Sequence, residues 1–546
     1  MKNRSYDGCR WIATAIGVAV LALLLGLCLT QRVYITQNKQ EQVVVQGLTA
    51  GFYVFLVVST AVLLALRKAL GRVSERTLFL VGTILYGIAG CYLIINVEPE
   101  LRADAQGVFT AALQFNAGDF SSLDKGNYMF SYPHQLGLMT LERLWLALGG
   151  VTAEAESAAF GVRLLFAINL GYVILINFLL WQLSRLWFVK GEDRESLIPR
   201  YAILLSFLFL PQLFFILFVY GSLPGMVCIL AAAFFLTKWF HQGGEEKRRL
   251  YFALTVVAAA LAVMVRNNYM IGVLALMAAT FLRLSQKRHL RDLALILCLA
   301  LTLSAPMKLL RPCYEAITGA EIGEGMPMSL YAAMAMQEGN RGNGWYNSYS
   351  INTYVGADYD SEVADAQARD DIEARLDEFR DDPAYAVRFY GEKVRSIWCD
   401  PTFQSIWSGP LDDVGQETCT PFLQEVYSAG PAYERIASFC QVVVIQILGF
   451  ALAATVRLMG RKGKDEEVVA EQRPEVLFPV IFLIGGFLFH ILWEAKSQYV
   501  FMYLVGLIPL AAFGITSGSG ILWPVRGGQV QENEETSVSV LLAKGE

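Results

Sequence analysis

Apolar residues run in stretches long enough to cross a bilayer, roughly 20 residues each with some shorter, separated by polar turns. The stretches fall at about 11–30, 43–66, 77–97, 162–186, 201–220, 222–240, 251–266, 269–284, 292–310, 434–457, 475–493 and 499–517. Their number and length predict an all-α polytopic membrane protein with about twelve transmembrane helices. The first stretch lacks a small-x-small exit and is followed by further spans, so it reads as a retained helix rather than a cleaved leader.

Polar sequence accumulates in three places. Segment 98–161 contains a run from about 133 to 150 that reads as a juxtamembrane helix. Segment 311–433 carries its own helical periodicity and predicts a smaller, mostly helical extracytoplasmic domain. The tail from 518 is polar, carries Gln531-Glu532-Asn533-Glu534-Glu535-Thr536 and reads as disordered. The expected organisation is a transmembrane module over 1–310 with an outer loop at 98–161, the outer domain, C-terminal spans over 434–517, and a cytoplasmic tail over 518–546.

Basic residues orient these spans, because Lys and Arg concentrate on the cytoplasmic side. Clusters at Arg67/Lys68/Arg72/Arg76, Arg185/Lys190/Arg194/Arg200, Lys247/Arg248/Arg249, Arg283/Lys287/Arg288/Arg291 and Arg457/Arg461/Lys462/Lys464 all fall on one side if 133–150 does not cross. Both termini are then expected in the cytoplasm, with both large polar segments outside, in a multi-pass protein of the cell membrane.

Composition agrees with the pattern. Of 546 residues, 55% are hydrophobic and 17% charged, and the mean hydropathy is +0.43, which excludes an ordinary soluble domain. A net charge of −5 gives no reason to expect a nucleic-acid partner. The nine cysteines lack metal-ligand spacing; Cys399 and Cys419 are the pair that an oxidising compartment would allow to bridge.

Candidate chemistry lies in the outer turns. Asp104 opens a segment whose Val108, Ala111, Ala112 and Phe115 mark one face of a short amphipathic helix. A carboxylate at a helix start serves either as a backbone cap or as an acid–base group, and both readings stay open here. His134 and Gln135 close the same segment. Arg266 with Asn267 occupies a turn between spans, where a guanidinium fork suits a phosphate or diphosphate. Trp493, Glu494, Lys496 and Tyr499 occupy another turn, and Tyr220-Gly221-Ser222 a third. Glu494 and Lys496 either neutralise each other or form a rim for a lipid phosphate and a sugar. In the glycine-rich loop 337–347, Trp345 and Tyr346 read either as buried aromatics or as a stacking surface for a sugar ring. Asp358-x-Asp360-x-Glu362 lacks the glycine and terminal glutamate of a calcium loop.

These features together resemble the GT-C superfamily of integral membrane glycosyltransferases, in the style of the family 39 branch, which holds the protein O-mannosyltransferases and the lipid A aminoarabinose transferase. The resemblance rests on Asp104 just beyond a span and on Pro133-His134-Gln135-Leu136-Gly137 opening a helix that ends at Gly149-Gly150. It rests also on Arg163 opening the next span and on the Glu494–Tyr499 turn. Departures are Ala105 after the aspartate, His134-Gln135 after the proline, and Gln498 where an arginine is usual.

The resemblance implies sugar transfer from a polyprenyl-phosphate donor to an extracytoplasmic acceptor, with inversion. Asp104 would be the general base, and Arg266, Lys496, Asn267 and Tyr499 would hold the donor phosphate and lipid. His134, Gln135, Glu494, Tyr220, Trp345 and Tyr346 would hold the rest of the substrates. The acceptor would be a cell-envelope glycan, a glycolipid or a protein, met among membrane lipids. No cofactor is expected to be required, with a divalent ion such as Mg or Mn left open. The competing readings are a flippase or transporter of lipid-linked sugars, which should place ionisable residues along its spans, and an envelope scaffold built on 311–433.

Overall fold

The computed structural model describes residues 4–36, 40–189, 196–287, 289–410, 418–460 and 473–522. Among them nine helices are long and apolar enough to cross a membrane, or up to eleven when each of two bent pairs counts as one span. The shorter apolar helix Phe501–Thr516 follows them. The bent pairs are Ile198–Leu208 with Pro211–Leu217, at 51°, and Leu290–Thr302 with Ala305–Thr318, at 42°. In each, a proline lies in the first turn of the second helix, where it cannot donate to the preceding turn.

The stretch 43–66 departs from expectation. Val43–Gly47 is a strand paired antiparallel with Gln31–Ile35, and the helix begins only at Ala50. Thr49 caps that helix by accepting from the Phe52 N–H. Ser74 does the same for Glu75–Ile95 through Thr77.

Burial separates central from peripheral spans. The most apolar window of Ala50–Arg72 is 11% buried, against 67% in Ser222–His241, so the former turns its apolar side chains outward while the latter fills the centre. The expected juxtamembrane run is the 3-10 turn Pro133–Gln135 followed by the helix Leu136–Leu148, too short to cross. Gly137 lets this helix press on the end of Glu245–Val265, since a Cβ there would lie 1.9 Å from the Met264 carbonyl oxygen.

Segment 311–433 is helical, with caps written into its sequence. Asp360, Asp382 and Thr420 each accept backbone N–H groups at the starts of Ser361–Asp381, Pro383–Trp398 and Pro421–Tyr427, and proline stands in the first turn of the last two. Some of the basic loops meet in pairs. Arg185 pairs with Glu75 at 2.8 Å, Arg200 donates to the Val73 carbonyl at 2.9 Å, and Arg291 reaches Glu245 at 3.2 Å. Cys399 and Cys419 are both free thiols, and both are buried. The helix Phe501–Leu522 runs past residue 518, and the rest of the expected tail lies outside the described residues.

Candidate active site

A cavity of about 600 Å³ opens where five interhelical turns and the 311–433 segment meet. Asp104 lies in the first turn of the helix Ala103–Asn116, whose Val108, Ala111, Ala112 and Phe115 are all buried as the periodicity predicts. It is not the cap. Arg102 occupies that position and makes no side-chain capping bond. Ala103 takes the left-handed conformation at φ +50°, a strained entry that aims the exposed Asp104 carboxylate into the cavity.

Tyr220 connects this carboxylate to Arg266. The Tyr220 hydroxyl donates to Asp104 Oδ2 at 3.4 Å and accepts from Gln135 Nε2 at 2.5 Å. Arg266 Nη1 donates to the Tyr220 carbonyl at 2.8 Å and to the Ser222 hydroxyl. Its guanidinium lies over the rings of Tyr220 at 5.0 Å and Tyr499 at 5.4 Å. Gly221 makes this approach feasible: it sits at φ +61°, and a Cβ there would come within 2.9 Å of the Val265 carbonyl. Among the described residues no carboxylate forms an ion pair with Arg266. Asn267 also lines the cavity, and its buried Oδ1 has no hydrogen-bond partner.

The Glu494–Tyr499 turn closes the other wall. Glu494 is buried and accepts from the Tyr499 hydroxyl at 3.0 Å. Burial raises its pKa against the opposing pull of Lys496 and Tyr499. Lys496 does not simply neutralise Glu494; its Nζ lies 3.5 Å from Glu41 Oε1. Burial would lower the Lys496 pKa, but Glu41, Glu494 and Asp104 outweigh it and hold the ammonium above its ordinary range. Glu41 is itself buried, at φ +42°, and also takes Arg341 and the Gln404 amide, the latter at 2.8 Å.

Trp345 corrects the expectation of a sugar-stacking surface. Its side chain is fully buried, and its indole N–H donates to Ser396 Oγ at 2.8 Å. The loop around it acts as a strut: the Ala495 N–H donates to the Gly344 carbonyl at 2.8 Å. Asp400 accepts from Ser497 Oγ at 2.6 Å, and Lys393 Nζ reaches the carbonyls of Ala335 and Ile491 at 2.8 and 2.9 Å. Tyr346 does line the cavity, under the Arg341 guanidinium at 5.1 Å.

His134 and Gln135 line it too, and burial draws the His134 pKa down to about 4 despite the raising effect of Asp104. Arg163 is exposed and does not line the cavity. Sequence reasoning missed Glu41, Arg341, Arg102, Tyr331 and Trp407, which line the cavity together with Tyr128, Tyr132 and Trp493. Among the described residues no group of three or more His, Cys, Asp or Glu side chains is assembled as a metal site.

No protein-family model matches the chain, and neither does any curated protein. Among solved structures it is similar to the apo crystal structure of ArnT from Cupriavidus metallidurans, over 82% of this chain and 80% of that one, at 11% identity and a TM-score of 0.31. A likeness of that degree assigns no activity to this chain.

Proposed function

We propose that the protein is a membrane glycosyltransferase that moves a hexosyl or pentosyl group from a polyprenyl-phosphate donor to a hydroxyl of a cell-envelope acceptor. The observation that carries this reading is the sharing of one cavity by an exposed carboxylate, Asp104, and an arginine without a carboxylate partner, Arg266, joined through Tyr220. In this reading Asp104 takes the acceptor proton while the acceptor oxygen attacks the anomeric carbon. The bond from that carbon to the phosphate oxygen breaks, its electron pair leaves with the lipid phosphate, and the anomeric configuration inverts. Arg266 and Lys496 neutralise the departing charge, so no cofactor is required. Asn267 and Tyr499 complete the phosphate and lipid seat. His134, Gln135, Glu494 and Tyr346 face the sugars.

The basic clusters that alternate with the spans in the sequence support a cavity that faces away from the cytoplasm, with both termini inside. Replacing Asp104 by Asn tests the reading in vesicles charged with polyprenyl-phosphate sugars. Transfer should fall by about two to four orders of magnitude with unchanged detergent stability, because among the described residues the Asp104 side chain makes one long hydrogen bond. Undiminished turnover removes Asp104 from the chemistry. Movement of lipid-linked sugar across the vesicle without product identifies a transporter instead.

A further inference from the structure

The 311–433 segment supplies part of the main cavity lining, and its chemistry differs from that of the interhelical turns. Tyr331, on the helix Met328–Met334, and Trp493 both line the cavity, with ring centroids 5.5 Å apart and planes 17° from parallel. Phe489 extends the set, 5.2 Å from Trp493 at 25°. Tyr331 interacts electrostatically with Tyr132, Glu494 and Asp104, so these rings lie within reach of the carboxylates of the site. Arg341 and Tyr346 come from the loop that follows, and both line the same cavity. The Arg341 side chain is 23% exposed, open to whatever enters. Its loop is fixed from behind: the Val43 N–H donates to the Arg341 carbonyl at 2.9 Å, and the Gly344 N–H to the Gln337 carbonyl at 2.8 Å. Gly344 sits at φ +72°, and a Cβ there would come within 2.6 Å of the Ala335 carbonyl oxygen.

Arg266 and Arg341 offer different things to a ligand. Among the described residues no carboxylate pairs with Arg266, whereas Glu41 balances Arg341 and takes Lys496 on the same oxygen, Oε1. A further anion beside Arg341 would also meet Glu494 and Asp104, which act together with Glu41 on the adjoining Lys496. A charge-balanced guanidinium still holds its N–H donors in a fixed plane. Such donors suit neutral hydroxyl groups, and the flat rings of Tyr331 and Tyr346 suit the apolar face of a sugar ring. We propose that Tyr331, Arg341 and Tyr346 form the acceptor subsite, and that the acceptor it takes is a neutral saccharide. The donor phosphate then belongs to Arg266 and the acceptor ring to the 311–433 segment, with Asp104 lining the same cavity to take the hydroxyl proton. Naming this saccharide as the acceptor rests on the transferase reading above, whereas the saccharide subsite itself does not.

The experiment presents the full chain in nanodiscs to an array of neutral, uronic-acid-bearing and phosphate-bearing oligosaccharides, and separately titrates it with a polyprenyl phosphate. The wild-type protein should be retained on neutral members. Tyr331→Ala and Arg341→Lys should each weaken that binding by about fivefold or more, with polyprenyl phosphate affinity kept within about twofold. Tyr331→Phe keeps the ring and should bind as the wild type does. Arg341→Lys keeps the charge that balances Glu41 but not the planar fork, so its melting temperature should stay near that of the wild type. Should Tyr331→Ala fail to fold, Arg341→Lys decides alone. Retention confined to charged oligosaccharides, or no retention at all, overturns the proposal. Neutral binding that survives either folded variant also overturns it. Equal weakening of polyprenyl phosphate does the same, since these residues then belong to the donor site. A failure of Arg266→Met to weaken polyprenyl phosphate counts against the transferase reading and leaves the saccharide subsite standing.

Discussion

The Tyr220 hydroxyl stands 3.4 Å from Asp104 Oδ2, and the same residue offers its ring and its carbonyl to Arg266. Tyr220 thereby couples the two groups on which the proposed chemistry depends. Tyr220→Phe keeps the ring under the guanidinium and deletes only the hydroxyl, which makes one long bond to Asp104 and one to Gln135. The loss of one weak and one good hydrogen bond is worth about 1 kcal/mol, so turnover should fall by about three- to tenfold with donor affinity unchanged. Steady-state kinetics separating kcat from KM check this. A large rise in donor KM instead would show that the hydroxyl contacts the donor itself.

Glu41 is the common partner of Lys496 and Arg341, and it is almost completely buried. Glu41→Gln leaves two cations without their carboxylate, a loss on the order of 3–5 kcal/mol for a buried pair. The melting temperature in detergent should drop clearly. Adding Arg341→Met to Glu41→Gln should restore part of it, because one stranded charge is gone. A double variant no more stable than the single one would show that Glu41 acts through Gln404 and the turn rather than through charge.

Trp345 supports the Glu494 turn from behind. Trp345→Ala opens a cavity in a packed interior and strands Ser396, at a cost of about 3–5 kcal/mol. Trp345→Phe loses mainly the indole hydrogen bond, about 1 kcal/mol. Thermal shifts in that order, without a selective loss of sugar affinity in the Phe variant, are expected. A selective loss of affinity in Trp345→Phe at full stability would return the residue to the cavity.

The spans were the legible part of this chain. A continuous apolar stretch can satisfy its backbone in lipid only as a helix, and all of the stretches read from the pattern contain helix. The amphipathic face behind Asp104 was legible for the same reason, since Val108, Ala111, Ala112 and Phe115 repeat at helical spacing. Polar residues interrupting apolar runs, such as Arg266 and Glu494, also stood out, because such positions are costly without a purpose. Glu41 was hidden by its setting: Val43-Val44-Val45 extends the following apolar run, although three β-branched residues in a row favour the strand they form. Trp345 shows a different limit. Its burial depends on Ser396, 51 residues away in the chain, and no local pattern encodes that contact. Arg102 stands two residues before the more conspicuous Asp104, and its place over the Trp407 ring depends on a residue 305 positions away in the chain.

His134 gives the cavity a defined response to acid. Burial draws its pKa from 6.5 down to about 4, so the imidazole is neutral in the folded protein at physiological pH. A depressed folded-state pKa stabilises the fold above the unfolded value, and that contribution is lost as pH falls from 6.5 toward 4, where the unfolded chain binds the proton more readily. The wild-type melting temperature should therefore decline across that window, and His134→Asn, which has no proton to gain, should decline less. Between pH 6.5 and 8 the imidazole does not change charge, so the pH–rate profile of His134→Asn should keep the wild-type shape there whatever its absolute rate. Displacement of a profile limb between pH 6.5 and 8 in this variant would show that the imidazole titrates in the working enzyme, and hence that water reaches it when substrates are bound.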